Sequence, residues 1–536
     1  MSFLLLNSWK EEKDEAVKRR DFEALNEHLA TKFTFPEITH DVKKELADFI
    51  ASEFDQASSS YKCAQIRTVR FLSRDKSGVE VLFTEDLIEL IIESAHLEKS
   101  STEESYEVIS ETAKCLVNAL YNSDKVRKVF EVKSVDLLLE RISFLLNKIQ
   151  NNTTLEKDEK FKYFSKISSE ELQDLFFLDL RIAFIVTAHS LNVQKNWLND
   201  VDNASVFLNT LLLSAKNLNN LTQKEKEWGN EALKILFNLF CHAKLFDLDF
   251  AQKCADECAR IIKTSTVDPD FKQNCVNLLA VMPATLESLC PKIEGQPKST
   301  KVYEDYDVEF ADATLALFDE RIDNLDKKDI ELLGTFFTSL IYLCKNHKAA
   351  RRYCRLKVIP PLHAKHVELP PDEGKEFRNK IIRIMRSDAN CRELAAEFLF
   401  ILCKRSVPRL IKYTGFGHAA GILANSGLLG AINEKKRDSD SEASDTEDYK
   451  EVEDLINPVT GYIEPHRENP LANMTEEQKE YEAMKLANAM SKLMEEGVFT
   501  PGTIGEDGRV RAVSHVNELV KNVNVKEELE SDSDID

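Results

Sequence analysis

Glycine and proline let a chain turn sharply, and this chain nearly does without them over most of its length. Only five glycines precede Gly415, and no proline stands between Pro36 and Pro269. A sheet protein of that extent would need many tight turns, and those turns draw on glycine and proline. The body therefore reads as α-helix joined by short polar connections. Segments such as SYEVISETAKCLVNALYN and EKEWGNEALKILFNLFCHAKL agree, because their apolar residues recur at i, i+3, i+4 and i+7.

The helices repeat. QIRTVRFLSRDKSGVEVLFTEDLIELI (65–91) lies over ETAKCLVNALYNSDKVRKVFEVKSVDLLLERI (111–142) at an offset of 49–50 residues, with Asp75-Lys76 on Asp124-Lys125 and Asp86-Leu87 on Asp136-Leu137. Further on, LIYLCKNHKAARRYCRLKVIPPL (340–362) matches FLFILCKRSVPRLIKYTGFGHAAGIL (398–423), with Cys344 over Cys403. Units of this length cannot bury an apolar face alone, but stacked units can. The pattern predicts an all-α armadillo/HEAT-like solenoid over 1–430. Residues 431–473 read as an acidic, phosphorylatable linker and a proline-marked extended stretch, with disorder expected over 433–457. MTEEQKEYEAMKLANAMSKLMEEG then predicts one amphipathic tail helix over 474–496, with Thr475 and Gln478 at capping-box spacing and Gly497 at its end. Residues 497–536 read as a disordered acidic terminus.

Net charge is −22, and it is uneven. Residues 437–536 hold 10 Lys+Arg against 26 Asp+Glu, a net of −16, which leaves the body at −6. That balance argues against nucleic acid as a partner and against an anionic membrane surface. No stretch reaches the roughly 18 apolar residues of a membrane span. The four-residue apolar run near the N-terminus is too short for a signal peptide. Eleven cysteines are scattered mainly through apolar stretches, which suits reduced, packed thiols of a cytoplasmic protein.

Catalytic motifs are missing. The sequence holds no P-loop, nucleophile elbow, HExxH or paired CxxC. GFGHAAG (415–421) imitates a dinucleotide fingerprint. However, the acidic residue expected about 20 positions on falls in the linker, and strands are scarce. The repeat alignment instead gives these glycines a tight turn between helices. Cys254 and Cys258, near Cys241 and His242, show the i, i+4 spacing of one helix face and lack an obvious fourth ligand, so packed thiols are the expectation rather than zinc. No cofactor and no metal are expected.

Interaction residues are more plentiful. Asn118, Asn122 and Asn238 interrupt apolar helical runs, read either as local caps or as a ladder gripping a peptide backbone. Arg67, Arg70, Arg74 and Lys76 form one basic cluster; Lys348, Arg351, Arg352 and Arg355 form another, each on one helical face. In the acidic run DSDSEASDTEDY (438–449), Ser439 and Ser444 each have a glutamate at +3, the pattern an acidophilic, casein-kinase-II-like kinase accepts. Arginine suits capture of the resulting phosphates. On the tail helix, Leu486, Met490 and Leu493 make an apolar stripe with Met484 alongside.

SVPRLIKYTGFGHAAGILANSGLLG, SEASDTEDY, INPVTGY and MTEEQKEYEAMKL, with RTVRFLSRDK and AAEFLFILCKRSVPR, together resemble the synembryn family. These are cytosolic chaperones and non-receptor guanine-nucleotide exchange factors for G-protein α subunits. The resemblance implies a superhelix that holds the C-terminal helix of Gα in its groove, with Arg70, Arg74, Asn118, Asn122 and Asn238 as the expected contacts. It implies that Met484, Leu486, Met490 and Leu493 brace the Ras-like domain, and that Ser439 and Ser444 are phosphorylated. Our expected pairings are phosphorylated Ser439 with Lys348, Arg351 and Arg352, and phosphorylated Ser444 with the Arg67, Arg70 and Arg74 group. A monomer is expected, acting on GDP-bound or nucleotide-free Gα without βγ, with recruitment to the cell cortex through Gα. The rival expectation is an armadillo-type peptide scaffold or transport adaptor with no effect on nucleotide exchange.

Overall fold

The computed structural model describes residues 3–98, 104–151, 161, 164, 167–295, 301–324, 326, 329–433, 446–465, 474–497, 502–504 and 510–512. Two compact units divide the chain, Met1–Leu289 and Cys290–Asp536. Both are helical, and the only strands among the described residues are two short hairpins.

The first unit runs α1 (Phe3–Glu11), α2 (Glu15–Ala30), α3 (His40–Glu53), α4 (Ser59–Leu72), α5 (Val79–Leu82), α6 (Glu85–Ser94), α7 (Tyr106–Asn122), α8 (Asp124–Lys133), α9 (Val135–Asn151), α10 (Ser169–His189), α11 (Leu191–Asn199), α12 (Val201–Ser214), α13 (Gln223–Cys241), α14 (Leu248–Lys263) and α15 (Pro269–Ala280). How such a chain turns without glycine is visible at its corners. Ser123 closes α7 and opens α8, leaving helical geometry for one residue (φ −119°, ψ 122°) while its hydroxyl accepts from the Val126 amide. Ser190 does the same between α10 and α11, and Asp200 between α11 and α12. Each cap satisfies an amide that the helix start leaves unpaired, worth about 1 kcal/mol.

The helices form two rows. In the first, α2, α4, α7, α10, α13 and α15 pack side by side in that order. In the second, α3, α6, α8, α9, α12 and α14 follow one another, and α6, α9, α12 and α14 also pack on the first row. This is the repeat stack that the 49–50-residue offset predicts. Fully buried Leu116, Leu120, Ile142, Leu145, Leu180, Leu236 and Leu239 fill the space between rows, each contributing about 2 kcal/mol by leaving water. One junction is polar. Arg141 on α9 donates from Nε and Nη2 to the Asp179 carboxylate on α10 (2.8 and 2.5 Å), and from Nη1 to the Ala95 and His96 carbonyls beyond α6 (2.5 and 3.2 Å). Both side chains are wholly buried. Burial pushes the Asp179 carboxyl up from its ordinary range, against the pull of Arg141.

The second unit holds β1 (Val302–Tyr303), β2 (Tyr306–Asp307), α16 (Glu309–Asn324), α17 (Gly334–Asn346), α18 (Lys348–Val358), α19 (Phe377–Arg386), α20 (Arg392–Leu402), α21 (Val407–Thr414), α22 (Phe416–Asn425), α23 (Glu447–Val452), α24 (Glu476–Glu495), β3 (Gly502–Ile504) and β4 (Val510–Ala512). α20 packs on α17, α18, α19, α21 and α22. His347 is the corner between α17 and α18. Its Nδ1 accepts from the Ala350 amide (3.1 Å), so its Nε2–H donates to the Cys290 carbonyl (2.9 Å).

Two expectations need correction. The stretch 446–457, expected to be disordered, is folded back onto this unit as part of 446–465. The Thr446 hydroxyl donates to the Leu362 carbonyl. The Asp448 carboxylate accepts from the Ala364 amide at 3.0 Å and meets His363 Nδ1 at 3.2 Å. Tyr449 is buried, with Lys412 Nζ 4.3 Å from its ring centre. The Phe416 and Gly417 amides then donate to the Pro458 and Val459 carbonyls (2.9 and 2.8 Å), and Ile463 N donates to Val367 O (2.7 Å). A polar, acidic composition suggests a free linker, but one aromatic anchor and a run of backbone hydrogen bonds suffice to dock it. The second correction lies beyond residue 497, where β3 and β4 pair antiparallel within the terminus expected to lack structure.

Candidate functional site

The predicted partner-contact residues of the body all lie along the first row of the first unit. Arg70, Arg74, Asn118 and Asn122 gather at one junction, between α4 and α7; Asn238 stands at the junction of α10 and α13. The asparagines do a job that the sequence reading did not name. Asn118 Nδ2 donates to Arg70 O (3.1 Å) and Asn122 Nδ2 to Ser73 O (2.8 Å). Asn238 Nδ2 reaches Phe184 O (3.3 Å) and Thr187 Oγ1 (3.1 Å). Each staples its helix to the preceding one in the row and remains half-exposed. Asn26, which is buried on α2, reaches forward instead, donating to Ala64 O of α4 at 2.8 Å.

The first basic cluster is anchored by a residue that the sequence reading missed. Glu111, nearly buried on α7, takes Arg70 Nε at 2.5 Å and stands 3.7 Å from Arg67 Nε. Arg74 lies across two rings, Phe71 at 4.5 Å and Phe33 at 5.5 Å, and donates to Ala30 O at 3.2 Å. Burial, and then the neighbouring Arg70, lower its pKa from the ordinary arginine value. Lys76 sits 6.0 Å from the Tyr121 ring centre. The basic cluster is interleaved with exposed Phe33 and Tyr121. Such a surface suits a ligand carrying both carboxylates and apolar side chains.

The second cluster is on α18. Lys348 is exposed. Arg351 donates from Nη1 to Cys344 O (3.2 Å). Arg352 Nη1 meets both oxygens of Glu304, at 2.9 and 2.8 Å. Arg355 is buried. Glu304 lies 48 residues upstream on the β1–β2 turn, and no local pattern announces the pairing. Ser439 and Ser444 lie outside the described residues, so their pairings with either cluster stand as expectations.

Helix α24 forms as predicted. Thr475 caps it, accepting from Gln478 N while the Gln478 side chain returns to the Thr475 amide. None of its residues is buried. Met484 is 66% and Leu486 62% exposed, with Leu493 exposed and Met490 half-exposed, so the apolar stripe is presented to solvent.

The remaining candidates resolve structurally. Gly415 adopts φ +75° as the turn between α21 and α22, and Gly461 φ +79° in the returning segment. A Cβ on Gly415 would stand 2.9 Å from the Gly461 nitrogen and the Thr460 carbonyl group. Gly415 thus serves a helix turn and a close backbone approach, which Gly417 shares with the Val459 carbonyl 3.2 Å from where its Cβ would stand. Cys254 and Cys258 are buried in α14, where burial raises Cys254 and the neighbouring Cys275 thiol raises Cys258. Among the described residues no cluster of metal-ligating side chains is present. The basic clusters and the α24 stripe present charged and apolar area for contact.

Residues 65–509 match the family model described as guanine nucleotide exchange factor synembryn, Ric8. The chain is 36% identical over 520 residues to the chaperone ric-8 of Caenorhabditis elegans, covering 91% of each. It is 33% identical over 569 residues to the chaperone ric-8 of Caenorhabditis briggsae, covering 99% of this chain and 98% of that one. It is 30% identical over 558 residues to the chaperone Ric-8A of Xenopus tropicalis, covering 97% and 98%.

Proposed function

The chain belongs to the synembryn family, and from that premise we propose that it is a non-receptor guanine-nucleotide exchange factor and folding chaperone for G-protein α subunits. One observation carries the reading: the stretch that matches a family of exchange factors runs through most of a chain whose relatives are named chaperones. A single physical preference accounts for both activities. A protein that binds nucleotide-free Gα more tightly than GDP-bound Gα weakens GDP binding by the same factor. The same hold covers apolar surface on an incompletely folded client until nucleotide arrives. No covalent bond is made or broken, which fits surfaces built only for contact.

In this reading the Gα C-terminal helix lies along the first row, engaging Arg70, Arg74 and the exposed sides of Asn118, Asn122 and Asn238. The stripe of Met484, Leu486, Met490 and Leu493 on α24 braces the Ras-like domain. An acidophilic kinase phosphorylates Ser439 and Ser444, and the cations of α4 and α18 receive the phosphates. The protein acts as a cytoplasmic monomer drawn to the cell cortex by its client. The positive, aromatic-lined junction at Arg74 and the unburied stripe of α24 support this arrangement. GDP release from purified Gα tests it: the rate rises with added protein, whereas a passive scaffold leaves it unchanged. Gα lacking its last dozen or so residues should lose the response.

A further inference from the structure

We propose that Glu111 and Glu231 are matched positioning residues: each buried carboxylate holds the basic side chains of its helix junction in place for a carboxylate on the client, and the second of them adds Arg181 and Lys234 to the contact surface. The proposal deepens the reading of the first row as the client surface and rests on it.

One short pattern stands at both junctions. α7 reads ETAKCLVN (111–118) and α13 reads EALKILFN (231–238), so Glu111, Lys114, Leu116 and Asn118 recur as Glu231, Lys234, Leu236 and Asn238. The two leucines are fully buried. Glutamate and asparagine, seven residues apart, fall two turns apart on one helix face. On α7, Asn118 Nδ2 donates to Arg70 O at 3.1 Å, while Glu111 Oε1 accepts from Arg70 Nε at 2.5 Å. The backbone and the side chain of one arginine are thus held from the same neighbouring helix. On α13, Asn238 Nδ2 donates to Phe184 O at 3.3 Å, and Glu231 Oε1 accepts at 2.6 Å from Nη1 of Arg181, one turn earlier on α10. The junctions are two helix spacings apart, about 16–20 Å. A client helix covers that distance in about 11–13 residues, so one helix can meet both.

The acids lie inside and the cations outside. The side chains of Glu111 and Glu231 are 7% and 4% exposed, those of Arg70 and Arg181 21% and 44%. Each Oε1 is shared: Arg67 Nε stands 3.7 Å from that of Glu111, and Lys234 Nζ 2.5 Å from that of Glu231. Each group also rests on a ring of the preceding helix in the row, Arg70 at 4.8 Å from the Phe71 ring centre and Lys234 at 4.6 Å from that of Phe184. Among the described residues, Nη1 and Nη2 of Arg70 make no hydrogen bond, and neither do Nε and Nη2 of Arg181. Each arginine is therefore tied at one donor and keeps an adjacent pair, the arrangement that meets a carboxylate with two hydrogen bonds. Ordering a long basic side chain on binding costs conformational entropy. A side chain already fixed at its inner donor escapes most of that cost.

The test titrates the full-length chain against a labelled peptide of about the last eighteen residues of Gα, long enough to span both junctions, followed by fluorescence anisotropy. Removing either acid makes its junction more positive, so charge alone predicts tighter binding of an anionic ligand. Loss of positioning predicts the opposite. Glu111→Met and Glu231→Met should each weaken binding about threefold to fivefold, the worth of one part-exposed ion pair. Glu111→Gln keeps an oxygen acceptor in the same place and should bind more tightly than Glu111→Met. Glu111→Met should lose most of its effect when Arg70 is already glutamine, and Glu231→Met when Arg181 is. Unchanged or tighter binding by a methionine variant, with its arginine variant still weakening, overturns positioning at that junction and leaves the client surface standing. A loss that persists undiminished in the arginine-to-glutamine background marks a structural role and overturns it equally. A loss for Arg70→Gln with none for Arg181→Gln removes the second junction from the contact surface. No loss for either arginine variant overturns the client surface itself.

Discussion

Replacing Asp179 by alanine should be among the most damaging single changes in the first unit. The substitution removes two of the four hydrogen bonds to a guanidinium that is wholly buried on α9. Breaking a buried pair from one side typically costs about 3–5 kcal/mol, because the remaining charge is stranded. Arg141 keeps the Ala95 and His96 carbonyls, so the lower end, about 3 kcal/mol, is expected. With a urea m-value of about 3 kcal/mol/M for a unit of this size, the midpoint should fall by about 1 M. The chain supplies its own reporter. Its three tryptophans, Trp9, Trp197 and Trp228, all lie buried in the first unit, so tryptophan fluorescence follows that unit alone. The double variant Arg141→Met with Asp179→Leu should recover at least half of the loss, since it strands no charge. A carboxyl raised by burial contributes stability below its unfolded value, and that contribution is lost as pH rises through its folded value. The double variant should therefore show a flatter dependence on pH than the wild type. A loss below about 1 kcal/mol for Asp179→Ala, or a double variant weaker than the single, would refute the reasoning.

Three other outcomes follow from the second unit and one from the first. Gly415→Ala forces an L-residue to φ +75° and sets a Cβ 2.9 Å from the returning backbone. It should cost about 1–2 kcal/mol from the dihedral alone and speed hydrogen exchange across 449–463; unchanged exchange there would sink the docking account. Asp448 is held down to about 2 by the Thr446 hydroxyl, then by the Ala364 amide. A depressed carboxyl stabilises above its unfolded value and loses that contribution as pH falls through its folded one. Protection of the 446–465 segment should therefore fade between about pH 4 and pH 2, and Asp448→Asn should remove that transition. Leu486→Asp with Leu493→Asp should leave unfolding within about 0.5 kcal/mol, because α24 buries nothing, yet reduce GDP release from Gα; an unaffected release rate counts against the bracing role. Gly229→Ala places a Cβ 2.6 Å from the Phe271 ring and from Ser214 Oγ, and overpacking of that order should cost about 1–3 kcal/mol by tryptophan-monitored unfolding.

The parts of this fold readable from sequence are those encoded within a few residues. The scarcity of glycine and proline announces helices, and serine and aspartate corners show how they are joined. The 49–50-residue offset of the first two repeats reappears as the Asn122-to-Ser73 staple, 49 residues apart. The capping box at Thr475 sets the tail helix within a residue or two. Pairings between distant positions were not readable. Asn118, Asn122 and Asn238 stand out as polar residues in apolar runs, but only the stacked helices reveal that their amides bind neighbouring carbonyls. Glu111 and Glu304 look like any surface acids until the fold brings them to Arg70 and Arg352. The 446–465 segment has the composition of a linker, and its docking depends on Tyr449 finding a site formed by residues 362–367 and 412–417.

That docking has a consequence for the acidic run it follows. Asn433 and Thr446 both belong to the second unit, so the chain leaves that unit and rejoins it within twelve positions. A short tether holds whatever it carries at an effective concentration in the millimolar range. A group attached in this way meets a receptor on its own molecule by proximity, without diffusing to find it. The same group on a separate molecule at micromolar concentration starts about a thousandfold behind.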